Sequence, residues 1–540
     1  MPFILLTAQR SACRAQLIRA GRAIFLGSIL LTQIIGALFL GCLMVTVMLV
    51  PGVMRFAQWI GAVDRGGYRK VFQGQMPLLG GLGIAIPLVV LGLGSSIAGT
   101  VIVNHWGDLL ARFPEHWGLF MSFARSRTEF FLLAVGGIGI VLLGIVDDTK
   151  GMKARYKLLG QIAVATFLCL GGFSITTLGL PFAGTIELGK FFGSVFTIFW
   201  VVGLINAFNL IDGVDGLASG IAFVGVSALV VLGLIQQNAF VTLAGAAMAG
   251  CLLGFLVYNF PPARIFLGDT GSMFLGYMLA AMSLVGSQKY EAAVILFTPM
   301  LALSFPIFET LISIVRRYLR GVPVFMGDNH HTHHRLLSKG YSQPRVVLTL
   351  YGVAVLLATA AVLAAVVPEE SPWAFTPYAL FGGTLVSIAW LAGYLRPTTF
   401  RRIIERRKRN RAYHALAHYA SLCLNSSGRA AKIDVLLALC RHELGLIHLE
   451  LQLDNGTVIM SSAETAPVDG APAPERLRVK SSDDKNIFIF FTFEHTPDEN
   501  RRHDVNACLA GIFDQLMLDR AVRPAPRKVP DTEHILAESE

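Results

Sequence analysis

FFGSVFTIFWVVGLINAFNLIDGVDGLASG, residues 191–220, is the stretch on which the reading of the chain turns. An apolar run from Phe191 to Ile205 gives way to Asn206, Asn209, Asp212 and Asp215, and a second apolar run begins at Leu217. About 20 mostly apolar residues suffice for a helix to cross a bilayer, so the polar group lies where a span ends. Residues three apart share a helix face, so these four side chains can converge. Gly213 and Gly216 permit close backbone approach or a break in the helix.

The same alternation runs outward in both directions. Eleven apolar stretches centre on 28–50, 82–103, 129–146, 158–178, 191–206, 217–235, 240–258, 272–287, 293–314, 347–367 and 376–395. The chain is 54% hydrophobic and 15% charged, against about 25% charged in a soluble domain. Its 54 glycines suit closely packed membrane helices. The expected fold class is an all-α polytopic membrane protein of about 11 transmembrane helices, with a small C-terminal α+β cytoplasmic domain.

The net charge of +10 does not point to nucleic acid. Most basic residues lie in loops after the odd-numbered spans, among them Arg65, Lys70, Lys150, Lys153, Arg155, Arg264, Arg316 and Arg317, and in RRIIERRKRNR at 401–411. The positive-inside rule places those loops in the cytoplasm. Arg10, Arg14, Arg19 and Arg22 conflict with this, because eleven spans put the N-terminus on the other side. The run from Ala23 to Val50 is long for a signal peptide and lacks a small-residue cleavage site, so it reads as the first span. Seven cysteines without a CxxC spacing exclude a disulfide framework and a zinc site of that kind.

The unusual polar groups fall in the same odd-numbered loops. Asp147 and Asp148 end the third span; adjacent carboxylates at membrane depth bind a divalent metal, supply a base, or form a solvated helix end. Arg155 and Lys157 follow, suited to a phosphate or simply to the interface. In NFPPARIFLGDTGSMFLG, residues 259–276, Asp269 sits in a tight turn before the eighth span; its neighbours' N–H groups suit an anion and its carboxylate a cation. Phe266 is a core residue or a platform for a flat ring. GDNHHTHHRLL, 327–337, carries four histidines in five residues without a zinc pattern; with Arg335 they can donate to phosphate oxygens, the plain alternative being a surface loop. Carboxylates for a hard cation beside donors for phosphate suggest Mg²⁺ and a diphosphate at a membrane surface. No Walker A loop, GxGxxG turn or Ser/Cys triad competes.

The ordered motifs DD, NAFNLIDGVDGLA, FLGDTGS and HHTHHRLL, with PLLGG at 77–81, resemble the polyprenyl-phosphate N-acetylhexosamine-1-phosphate transferase family over residues 30–395. Their form resembles the UDP-GlcNAc branch more than the phospho-MurNAc-pentapeptide branch. The resemblance implies that a lipid phosphate, undecaprenyl phosphate, attacks the β-phosphorus of a UDP-sugar and releases UMP, with Mg²⁺ (Mn²⁺ as the alternative ion) as cofactor. It implies metal ligands Asn209 and Asp269, and catalytic roles for Asp147, Asp148, Lys157 and Asp212. It assigns uridine or substrate binding to Asp215, Asn259 and Phe266, and phosphate binding to His331, His333, His334 and Arg335. Phe72, Glu309 and Asn329 depart from the residues relatives carry there, which leaves the sugar open. The implied setting is a bacterial inner membrane, with active site and C-terminus cytoplasmic and membrane lipids as neighbours; a homodimer is among the assemblies allowed.

The expected domains are a membrane transferase domain at 1–395, a basic linker helix at 396–425, an α+β domain at 426–525 and a disordered tail at 526–540. Within the third, helices are expected at 428–443 and 504–518, strands at 446–453 and 486–494, and a loop at GAPAPE, 470–475. The rival classes are a transporter, which would spread its charges toward mid-bilayer, and a scaffold built on the tail.

Overall fold

The computed structural model describes residues 2–65, 75–106, 121–180, 184–287, 297–320 and 331–394, four strands between 446 and 493, and Val505 and Leu509; the side chains of residues 1–30 lie outside the description. The chain divides into two compact units, Met1–Val315 with Phe325–Arg396, and Arg316–Val324 with Pro397–Glu540.

The first unit is helical. Its elements are α1 (Pro2–Trp59), a short hairpin β1 (Val63–Arg65) and β2 (Gln75–Pro77), α2 (Gly81–Val101), α3 (Arg127–Lys150), α4 (Ala154–Leu170), a second hairpin β3 (Thr177–Leu180) and β4 (Gly184–Glu187), α5 (Gly189–Ile211), α6 (Leu217–Ile235), α7 (Ala239–Asn259) and α8 (Gly268–Ser287). After these come α9 (Phe297–Ala302), α10 (Ser304–Arg320), which belongs to this unit as far as Val315, the short α11 (Thr332–Ser338), α12 (Gln343–Val366) and α13 (Thr376–Leu391).

Among the described residues, seven helices are long and apolar enough to cross a membrane: Leu31–Trp59, Gly81–His105, Arg127–Lys150, Gly189–Ile211, Leu217–Ile235, Ala239–Asn259 and Gln343–Val366. Each coincides with an expected span. Of the other four stretches, 158–178 and 376–395 hold the shorter α4 and α13, 272–287 holds α8, and 293–314 holds two helices instead of one. The last break has a local cause. Pro306 has no N–H to bond the carbonyl of Ala302, four residues back, so the helix ends there and restarts at Ser304.

α8 is the centre of the unit. Thr270 to Val285 are all buried, as a helix apolar on every side must be, and α2, α3, α5, α6 and α7 pack around it. The closest helix approach elsewhere is between α1 and α7. A Cβ on Gly250 would stand 2.2 Å from the Phe39 carbonyl oxygen, and one on Gly254 2.7 Å from that of Leu43. Small residues one turn apart let two backbones touch where lipid offers no hydrophobic driving force. On the outside, Phe199 is 71% and Val257 64% exposed, a surface suited to lipid contact.

The second unit holds a four-stranded antiparallel sheet in the order β6 (Val458–Ser461), β5 (Leu446–Leu453), β8 (Asn486–Phe493), β7 (Glu475–Lys480). Leu449 pairs with Phe491, and Phe491 is buried. β5 and β8 match the expected strands; β6 and β7 were hidden by short length and charged flanks. The helices expected at 396–425, 428–443 and 504–518, the GAPAPE loop and the tail lie outside the described residues, apart from Val505, Leu509 and Glu475, which opens β7 and is not loop.

Candidate active site

Antiparallel crossing brings the C-terminal ends of α3, α5 and α7 beside the N-terminal ends of α4, α6 and α8. The carboxylate-bearing motifs occupy those ends, and the side chains meet. Lys157, in the first turn of α4, places its Nζ 2.8 Å from Asp147 Oδ2 and 3.0 Å from Asp269 Oδ1. Burial opposes the charge on Lys157, but the Asp269 and Asp147 carboxylates outweigh it and hold the ammonium above its ordinary pKa. Asn209 Nδ2 donates to Asp269 Oδ1 and, at 3.0 Å, to Ser272 Oγ. One ion pair and one amide thus tie α4 and α5 to the Asp269 carboxylate of α8.

The adjacent aspartates do different things. Asp147 Oδ1 accepts the Met152 N–H at 2.8 Å and its Oδ2 faces Lys157. Asp148 turns to α8. Its Oδ1 accepts the Asp269 N–H at 2.8 Å, and its Oδ2 accepts the Thr270 N–H at 2.9 Å and the Thr270 hydroxyl at 2.6 Å. The first N–H groups of a helix have no partner within it, and a carboxylate there also meets the positive end of the helix dipole. Gly268 lets the backbone arrive: its φ is +74°, and a Cβ there would lie 2.8 Å from Asp148 Oδ2.

Asp212 follows α5. No hydrogen bond reaches its carboxyl among the described residues, and none reaches Asn209 Oδ1. Burial, with the like charges of Asp269, Asp148 and Asp215, pushes the Asp212 carboxyl well above the usual carboxylate range.

The residues expected at the uridine divide. Asp215 Oδ2 accepts the Ala263 N–H at 3.1 Å. Asn259 is buried; its Oδ1 accepts the Gly216 N–H at 3.1 Å and the Ser219 hydroxyl at 2.8 Å, and its Nδ2 donates to the Ile265 carbonyl at 2.9 Å. Both side chains pin the 260–266 loop to the start of α6. Phe266 stands at the end of that loop, half-buried. Its backbone is held by PLLGG: the Phe266 N–H bonds the Pro77 carbonyl, and the Gly80 and Gly81 N–H groups bond the carbonyls of Phe266 and Leu267, each at 3.0 Å. Asn259→Ala is therefore expected to lower stability by about 1–3 kcal/mol through buried groups left unpaired, read as a lower unfolding midpoint in detergent.

The histidines form a stack on α11. The His331 and His333 ring centroids lie 5.5 Å apart and those of His333 and His334 4.4 Å apart. His333 is 2% exposed, and its Nε2 has no hydrogen-bond partner among the described residues. That nitrogen points at the α5–α6 turn, 2.8 Å from where a Cβ on Gly213 would stand. Burial, then the neighbouring His334 and His331, pull His333 well below the ordinary histidine pKa, so it is neutral. Arg335 is engaged elsewhere: it donates to the Ala392 carbonyl at 3.0 Å and stacks 4.2 Å over the Tyr394 ring. His330, Asn329 and Phe72 lie outside the described residues.

Sequence reasoning did not find Thr270, Ser272, Ser219 or Tyr351, whose hydroxyl donates to the Gly216 carbonyl at 2.5 Å. Ser272 had a signal, three residues after Asp269 on one helix; Tyr351 sits in an apolar span and had none. Gln161, buried on α4, also escaped notice; it accepts from Asn206 at 2.7 Å.

A hard cation fits this end of the bundle. Lys157 bridges the Asp147 and Asp269 carboxylates as a cation would, and among the described residues no hydrogen bond reaches the nearby Asp212 carboxyl or Asn209 Oδ1. No three His, Cys, Asp or Glu side chains form a closed cage among the described residues; Mg²⁺ usually takes one or two carboxylates and completes its shell with water and substrate phosphates.

A family profile described as Glycosyl transferase family 4 matches residues 130–287, which covers every carboxylate above and stops before the histidines. A protein of Bacillus subtilis (strain 168), named a probable undecaprenyl-phosphate N-acetylglucosaminyl 1-phosphate transferase, is 34% identical over 326 residues, 60% of this chain and 83% of its own length. A decaprenyl-phosphate N-acetylglucosaminephosphotransferase of Mycobacterium tuberculosis (strain ATCC 25618 / H37Rv) is 32% identical over 320 residues, 55% of this chain and 74% of the relative. A phospho-N-acetylmuramoyl-pentapeptide-transferase of Listeria innocua is 35% identical over 245 residues, 43% of this chain and 72% of the relative.

Proposed function

The chain belongs to glycosyl transferase family 4, among the polyprenyl-phosphate N-acetylhexosamine-1-phosphate transferases, and on that premise we propose that it moves an N-acetylhexosamine 1-phosphate, GlcNAc 1-phosphate in the first instance, from a UDP-sugar to undecaprenyl phosphate. The lipid phosphate oxygen forms a bond to the β-phosphorus, the bond from that phosphorus to the bridging oxygen breaks, and UMP leaves with the electron pair. The observation that carries this reading is the Lys157 ammonium set between Asp147 and Asp269 where three helices end.

Each residue's part follows from its contacts. Lys157 can turn from a carboxylate to a phosphate oxygen of the bound diphosphate or lipid. Asp148 holds α8 so that Asp269 stays in place. Asp212, the carboxyl that no hydrogen bond reaches among the described residues, takes the proton of the lipid phosphate. Asn209 and Asp269 would hold Mg²⁺, which when bound neutralises diphosphate charge. Asp215 and Asn259 set the loop that offers Phe266 to the uracil ring. The histidine stack presents ring N–H donors to phosphate, while Arg335 fastens α11.

In the same reading the chain has eleven spans in a bacterial inner membrane, with the site and the second unit in the cytoplasm, where UDP-sugars are. Purified protein given UDP-GlcNAc, undecaprenyl phosphate and Mg²⁺ is expected to release UMP and form a lipid-linked sugar diphosphate. No UMP from a panel of UDP-sugars would overturn the assignment.

A further inference from the structure

α10 has two unlike faces. Leu311 and Val315 are 56 and 54% exposed, whereas Glu309 and Ser313 are 1 and 2% exposed. The latter two lie four residues apart, on one stripe of the helix. Burying a carboxylate in an apolar helix is costly unless it is hydrogen-bonded, and both residues bond the start of the histidine segment. Glu309 Oε2 accepts the Thr332 N–H at 3.1 Å, and Ser313 Oγ lies 3.1 Å from His331 Nδ1. Thr332 is the first residue of α11, and no side chain of the segment itself caps that end. Glu309 satisfies a donor that the helix cannot. Ser313 fixes one ring nitrogen of His331 and thereby its orientation and tautomer.

The consequence passes through the stack. The His331 ring lies over that of His333 at an interplanar angle of 21°. Holding His331 therefore holds His333, whose unpartnered Nε2 faces the Asp212–Gly213 turn. We propose that Glu309 and Ser313 are positioning residues for the transfer reaction: from the inner face of α10 they lock the histidine stack so that the His333 imidazole meets the diphosphate at the α5–α6 turn. This rests on the function proposed above.

The test uses the full-length protein with UDP-GlcNAc and undecaprenyl phosphate as probes, scored by UMP release, together with the unfolding midpoint in detergent. Ser313→Ala and Glu309→Met are expected to lower kcat about 10–100-fold, the range seen when an orienting partner is removed, with the KM for UDP-GlcNAc little changed. Ser313→Thr and Glu309→Gln, which keep the acceptor or hydroxyl, are expected to restore most of the rate. Folded Ser313→Ala and Glu309→Met at wild-type kcat would overturn the proposal. So would a rise in KM alone, or an equal fall in Ser313→Thr and Ser313→Ala, since either assigns the residues to binding or packing. A wild-type protein that releases no UMP overturns the functional reading itself and this inference with it; an active wild type with unaffected variants overturns the inference alone.

Discussion

Asp269→Asn is expected to cut UMP release about 10²–10³-fold while the protein stays folded. The carboxylate is the point at which Lys157 and Asn209 meet. Asparagine keeps the volume and removes the charge, and Lys157 retains Asp147 at 2.8 Å as a partner. The bonds that fasten α8 come from backbone N–H groups and the Thr270 hydroxyl, so the substitution leaves them in place. What is lost is the charged oxygen that would hold the cation against the diphosphate, and removing one group that serves the transition-state electrostatics costs about that factor. The measurement is kcat at saturating UDP-GlcNAc and undecaprenyl phosphate, beside an unfolding curve of the same preparation. A folded variant within tenfold of wild type, a barrier change of about 1.4 kcal/mol, would show that Asp269 does not face the reacting phosphates.

Asp148→Ala and Asp147→Ala are expected to fail differently although the residues are neighbours. Asp148 accepts three hydrogen bonds from the first turn of α8, the most enclosed helix of the unit. Bonds to a charged acceptor contribute about 1.5–3 kcal/mol each, and water admitted at the open end of the site offsets part of the loss. Asp148→Ala is therefore expected to cost at least about 3 kcal/mol of stability and to lower the yield of folded protein. Asp147→Ala removes one backbone bond and half of the Lys157 bridge. It is expected to leave the unfolding midpoint nearly unchanged and to lower kcat. The two unfolding curves and the two rates, measured side by side, decide the matter; equal melting of both variants would refute the division of labour.

That division marks how far the sequence could be read. Asp147 and Asp148 stand out as a pair because two carboxylates end an apolar run, a local fact. Their separate roles depend on Thr270, 122 positions away from Asp148, and no periodicity carries such a distance. Asn259 and Asp215 were legible as polar residues in a dense motif. Their contacts to Gly216, Ser219, Ile265 and Ala263 require the loop to fold back on α6, so their first effect is to hold the loop behind Phe266. Arg335 was legible as a cation beside histidines, yet Tyr394 and Ala392 claim it. Glu309 looked like a departure from relatives; the structure shows it bonded to the Thr332 N–H.

Local pattern suffices for the apolar spans, for the motifs at their ends and for the gathering of those motifs at one end of the bundle, because hydrophobicity is a property of contiguous residues and successive helices must alternate direction. It also raises the expectation of the chemistry, oxygen donors for a cation beside donors for phosphate. Tertiary structure alone decides which carboxylate fastens a helix and which stands without a partner. It alone places Lys157 between Asp147 and Asp269, and sets the histidine stack against Gly213 and the inner face of α10. Those outcomes depend on the angle and depth at which separate helices pack, and packing is set jointly by side chains far apart in the chain.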